Sequence, residues 1–93
     1  MLVGVCRVEI FVPESGSLKS KRFILNSLKQ RIRNKFNVSV SEIDNNDKWQ
    51  IITLGISMVS NERKFIDITM SEILKVIEGD GRMEILNHST EVL

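Results

Sequence analysis

LVGVCRVEIFV, residues 2 to 12, sets Gly4, Cys6, Val8, Ile10 and Val12 on one side of an extended chain, with Val3, Val5, Arg7, Glu9 and Phe11 on the other. A two-residue period of this kind is the signature of a strand, whose successive side chains point to opposite faces. Pro13 to Gly16 breaks the pattern. Ser17 then stands where a side-chain oxygen can accept a free first-turn N–H, and predicts a helix running to about Lys35 with Leu18, Leu25, Leu28, Ile32 and Phe36 as its apolar stripe.

Asn37 to Ile43 reads as a short strand, with Val38 and Val40 on one face. Asp44-Asn45-Asn46-Asp47 turns the chain, since Asn and Asp tolerate left-handed backbone and bond their own main chain. Trp49 to Val59 returns as a long strand with Ile52, Leu54, Ile56 and Met58 on one face. Ser60 or Asn61 caps a second helix that carries Ile66, Met70, Ile73 and Ile77, runs to about Glu78 and ends at Gly79 and Gly81. Residues 83 to 93 form a last strand whose alternation slips near Asn87 to Ser89, where a bulge is expected. The order βαββαβ predicts an α+β, ferredoxin-like domain: a four-stranded antiparallel sheet with two helices on one face.

A chain of 93 residues, 42% hydrophobic and 27% charged, has the balance of a folding domain and the length for one core, so residues 1–93 are read as a single domain. Its longest apolar stretches fall far short of the roughly 20 residues that span a bilayer, and no signal-peptide pattern opens it. Cys6 is the one cysteine, which excludes a disulfide within the chain and a multi-cysteine zinc site. The expected compartment is the cytoplasm.

Net charge is only +1, but it is unevenly spread. Residues 15 to 41 contain Lys19, Lys21, Arg22, Lys29, Arg31, Arg33 and Lys35 and no acid, while all twelve acidic residues lie elsewhere. On a helix, Lys19, Arg22, Lys29 and Arg33 fall within an arc of about 80°, with Asn26 among them, and extend over about 21 Å. A cationic ridge of that length can follow successive phosphates. The same ridge also fits a solvated face or an acidic protein partner. Phe23 projects to the solvent side, placed to stack on a base or enter an interface. Lys21 falls within the apolar arc, where either a bound anion or a carboxylate such as Glu42 has to offset its charge.

The run Ser17-Leu18-Lys19-Ser20-Lys21-Arg22, then Arg31-Ile32-Arg33, Phe36-Asn37-Val38-Ser39-Val40, Asp47, Trp49 and Leu54-Gly55 resembles the YlxP-like family of small uncharacterised bacterial proteins. The resemblance covers essentially the whole chain. It departs at Ser20, where the family usually has Glu, and at Ser41, where it usually has Ala. It implies a ferredoxin-like fold and, because such genes commonly lie beside those for translation initiation factor two and ribosome-binding factor A, a place near the ribosome. It brings no established activity or site.

Nothing in the sequence points to an enzyme, a cofactor, a metal or a small-molecule substrate. Cys6 shares a face with Val8 and Ile10 and reads as a core residue, His88 has no partner in sequence, and Glu42, Asp44 and Asp47 match no calcium loop. A ferredoxin-like sheet leaves one face bare, and here it would show Val3, Val5, Phe11, Trp49, Ile51 and Val59. Two functions follow as expectations. The first is an RNA-binding or ribosome-associated accessory protein, acting through Lys19, Lys21, Arg22, Phe23, Lys29 and Arg33 and dimeric in solution. The second is a homodimeric protein-docking domain, joined through Val5, Phe11, Trp49 and Ile51, with no nucleic-acid contact.

Overall fold

The computed structural model describes residues 1–93 and runs β1 (Leu2–Phe11), α1 (Leu18–Lys35), β2 (Ser39–Asp44), β3 (Ile51–Ser60), α2 (Arg63–Glu78) and β4 (Glu84–Val92). The strands lie in the order β2-β3-β1-β4 and every neighbouring pair is antiparallel, which is the ferredoxin-like plan expected from the alternation. β1 is central because both its neighbours pair along it: Cys6 faces Ile56 on one side and Thr90 on the other.

Both helices cover the same face of the sheet. Val8, Ile10, Ile52, Leu54 and Ile56 meet Leu28, Ile32, Ile66, Ile73 and Ile77 there, all of them buried. Removing each such side chain from water contributes on the order of 1.5–3 kcal/mol. Gly4 permits the closest approach, for a Cβ at that position would collide with the side chain of Ile66. Its smallness lets α2 settle directly on β1.

Ser17 caps α1 as expected, its hydroxyl accepting the Ser20 N–H at 3.1 Å. Ile24 and Lys21 join Leu25, Leu28 and Ile32 on the buried side, while Leu18 and Phe36 at the ends are only half-buried. The second cap differs from expectation. Glu62 holds the cap position of α2 without a side-chain bond, and the Ser60 hydroxyl accepts the Glu62 N–H at 3.1 Å, steadying the approach to the helix instead.

The hairpin's connection is longer than its sequence suggested and its strands are shifted: β2 runs from Ser39 to Asp44 rather than from Asn37 to Ile43, and β3 starts at Ile51 rather than Trp49. Asn45 takes a left-handed φ of 57° and its carbonyl accepts the Lys48 N–H at 3.0 Å, so the turn absorbs more residues before pairing resumes. Trp49 consequently sits in the bend. Two register shifts interrupt the sheet. Glu9 faces Asn87 but Ile10 faces Ile85, which leaves Leu86 as an extra residue on β4, just before the stretch where a bulge was expected. Glu42 faces Leu54 but Asp44 faces Thr53, which leaves Ile43 extra on β2.

Candidate nucleic-acid interface

α1 presents Lys19, Arg22 and Arg33 as exposed residues, with exposed Asn26 between them and Lys29 half-buried at the flank. Their spacings of three, seven and four residues keep them along one line of the helix. None of the four belongs to an ion pair; the chain's pairs are Arg7–Asp44, Lys21–Glu42, Arg31–Asp80, Lys75–Glu72 and Arg82–Asp80. The Arg33 guanidinium is held in place at the far end of the ridge, where Nη2 donates to the Val40 carbonyl at 2.9 Å. Phe23 is 73% exposed and stands beside the ridge on the side facing solvent.

Lys21 leaves the proposed contact set. Its side chain is 1% exposed and its Nζ donates to the Asn45 carbonyl at 2.7 Å, with Glu42 Oε2 at 2.8 Å. That carboxylate oxygen is buried, and the ammonium reaches it at an angle outside a good hydrogen bond, so the pair is chiefly electrostatic. The carboxylate explanation for Lys21 therefore holds, and an anion from solvent has no path to it. Arg31 is also committed: its Nη2 lies 2.6 Å from Asp80 Oδ2.

Asp80 was not singled out by the sequence. It is buried at the end of α2, between the arginines Arg31 and Arg82, and accepts from the Arg82 backbone N–H at 2.9 Å as well. The Arg82 guanidinium, its amide and the charge of Arg31 hold the Asp80 carboxyl far below the usual carboxylate range despite burial, and Arg82 is raised in return. The only signal was an Asp between two glycines followed by Arg, a turn pattern that does not reveal a partner in α1.

The open face of the sheet is not the even apolar surface expected. Val3, Val5, Phe11 and Ile51 are half-buried, while Trp49 and Val59 are exposed at opposite ends. Between them Arg7 faces Gly55 and Ser89, and Val5 faces Ser57 and Glu91. Ile43 leans over Gly55, whose missing side chain leaves it room. The result is a trough of about 460 Å³ crossing all four strands, lined by Val5, Arg7, Ser41, Ile43, Ser57 and Glu91 among others.

Cys6 is buried, and burial pushes its thiol up from the ordinary value, offset in part by a hydrogen bond with Thr90. A thiol of that kind is packed rather than activated. Glu42 is engaged by Lys21, and Asp44 lies 3.4 Å from Arg7; its carboxyl is lowered by the Asn45 N–H it accepts and by that guanidinium. Glu42 and Asp44 are thus engaged within the fold. No three of the chain's His, Cys, Asp and Glu residues form a metal-holding group, and no helix is long and apolar enough to cross a membrane.

Comparison with known proteins gives the family and the fold. A family model described as a protein of unknown function, DUF503, matches residues 3–90. The uncharacterised protein YlxP of Bacillus subtilis (strain 168) is 36% identical over 83 residues, covering 89% of this chain and 90% of its own. Among solved structures, the de novo designed protein Foldit4 aligns over 100% of this chain and 97% of its own with a TM-score of 0.57 at 14% identity. The design LFR1 1, with a ferredoxin fold, aligns over 100% and 84% with a TM-score of 0.51 at 11% identity. Likeness to these designs speaks to the fold alone.

Proposed function

The chain belongs to the DUF503 family of proteins of unknown function, and from that premise we propose that it is a non-enzymatic accessory protein that binds RNA along α1. The observation that carries this reading is the row Lys19, Arg22, Lys29 and Arg33, four cations on one line with no carboxylate partner, beside an exposed Phe23. Helices that carry charge only for solubility gain from mixing signs four residues apart, and α1 contains no acid at all. The distance from Lys19 to Arg33 is about 21 Å, several phosphates long. Phosphate contacts of this type position a nucleic acid without reading its sequence. Ribosomal RNA in the cytoplasm is the first ligand to test.

Four phosphate contacts release counterions on binding, so log affinity falls with log salt at a slope of about 3. Replacing Arg22 and Arg33 by Gln lowers that slope by about 1.5 and weakens all sequences alike. Filter retention of single-stranded and structured RNA across a salt series measures both. Absence of salt-dependent retention by the wild-type protein at about 50 mM salt makes the ridge a solvated or protein-facing surface and overturns the reading. The homodimeric docking domain is supported only by Trp49 and Val59, the exposed ends of the open sheet. Sedimentation at rising concentration decides it.

A further inference from the structure

The open face of the sheet has a charge of its own. Cross-strand partners share a face, so Glu9, Glu84 and Glu91 lie on the side of Arg7, together with Asp44. Asp44 neutralises Arg7, which leaves three carboxylates without a cation partner on this surface. Along the same face the trough has an apolar floor made by Val5, Ile43 and the backbone at Gly55, with the hydroxyls of Ser41 and Ser57 at its margin and Glu91 at its β4 end. Its volume of about 460 Å³ suits a few side chains rather than a folded domain.

We propose that this trough docks an extended, lysine- or arginine-rich segment of another protein. The chemistry of the two parts is complementary: aliphatic stems of Lys or Arg lie on Val5, Ile43 and Gly55, and their charged heads reach Glu91 in the trough and, beyond it on the same face, Glu9 and Glu84, while Arg7 in the lining is paired with Asp44. A second copy packed face to face fits less well. It would bring the unpaired carboxylates of both copies together and set a half-buried apolar surface against polar serines. The site is independent of the ridge on α1, which lies on the helix-covered side of the sheet.

Fluorescence anisotropy with a labelled octapeptide alternating Arg and Val, against its Glu and Val counterpart, tests the assignment. The basic peptide binds and the acidic one does not. Replacing Glu9, Glu84 and Glu91 together by Gln weakens binding by about tenfold or more, as expected for several lost charge pairs. Gly55→Leu, which fills the trough without changing charge, weakens it comparably, and Ser57→Leu serves the same end should the glycine variant fold poorly. Replacing Lys19 and Arg22, neither of which lines the trough, by Gln leaves peptide affinity unchanged, so failure of RNA binding and failure of this site are separable. Equal affinity in the wild type and the triple Gln variant overturns the proposal. Undiminished affinity in the filled-trough variants also overturns it, because the face would then attract cations by charge alone. A wild-type protein that sediments as a dimer and excludes the peptide overturns it in favour of a second copy.

Discussion

Lys21 and Arg22 are neighbours in the chain and opposites in circumstance. The first is 1% exposed, its ammonium tied to the Asn45 carbonyl and Glu42, and the second stands in solvent without a carboxylate partner. A step of about 100° around a helix separates a charge that holds the fold together from one that is free to bind. The cost of removing a charge should therefore track its partners rather than its type.

The largest effect should come from Lys21→Met. It leaves Glu42 and the Asn45 carbonyl without their cation beneath the hairpin, and breaking such a pair from one side costs about 3 kcal/mol. Glu42 keeps some contact with water, its side chain being 14% exposed, which holds the figure toward the lower end of the range. Pairing the change with Glu42→Leu removes the stranded carboxylate, and urea denaturation should show much of the loss recovered. A double variant as unstable as the single one would break the comparison, by showing that the lysine stem's packing outweighs its charge.

Asp80→Asn should come next, at about 1–2 kcal/mol at neutral pH, because Arg31 and Arg82 are partly exposed and water screens their attraction. The Asp80 carboxyl titrates lower in the folded protein than in the unfolded chain. Its contribution is accordingly complete above the unfolded value near 4 and disappears as pH falls toward the folded one. Urea midpoints of wild type and variant should converge between about pH 4 and pH 2. Parallel curves across that window would assign the effect to shape instead of charge.

The smallest effects belong to the ridge. Arg22→Gln and Phe23→Ala touch side chains that the fold leaves in solvent, and each should change stability by no more than about 0.5 kcal/mol. Arg33→Gln loses the bond to Val40 as well and should cost about 1 kcal/mol. A thermal melt of the three variants ranks them. If Arg22→Gln proves as costly as Lys21→Met, the ridge is structural.

Periodicity made the fold legible. The alternation of β1 and β3 and the helical spacing of α2 place the same residues in the core that the structure buries there. Ile24 escaped the apolar stripe read for α1 because that stripe was anchored on the helix ends, Leu18 and Phe36, which are the less buried positions. The start of β3 escaped because Trp49 looks like a strand residue, whereas the left-handed Asn45 and the bond from Gln50 Nε2 to the Pro13 carbonyl hold the bend open through Gln50. The ridge was legible because helical geometry is local. The partner of Lys21 was not, since it depends on the register of β2, and neither was the trough, which exists only once β4 lies beside β1 and Ile43 is pushed out by its bulge.

The bond between Arg33 and the Val40 carbonyl has a consequence for solubility. β2 is an edge strand, and its outward carbonyls and amides are a template on which another chain could add itself, the first step toward a fibril. A guanidinium laid over Val40 occupies one of the strand's acceptors and adds a cation to a strand whose own charged residues, Glu42 and Asp44, are both acidic. The other edge, β4, is guarded by different means: Leu86 kinks it and the carboxylates of Glu84 and Glu91 line it. The two borders of the sheet thus carry different features of the kind that discourage growth by strand addition, a cation borrowed from the helix above one and irregularity along the other.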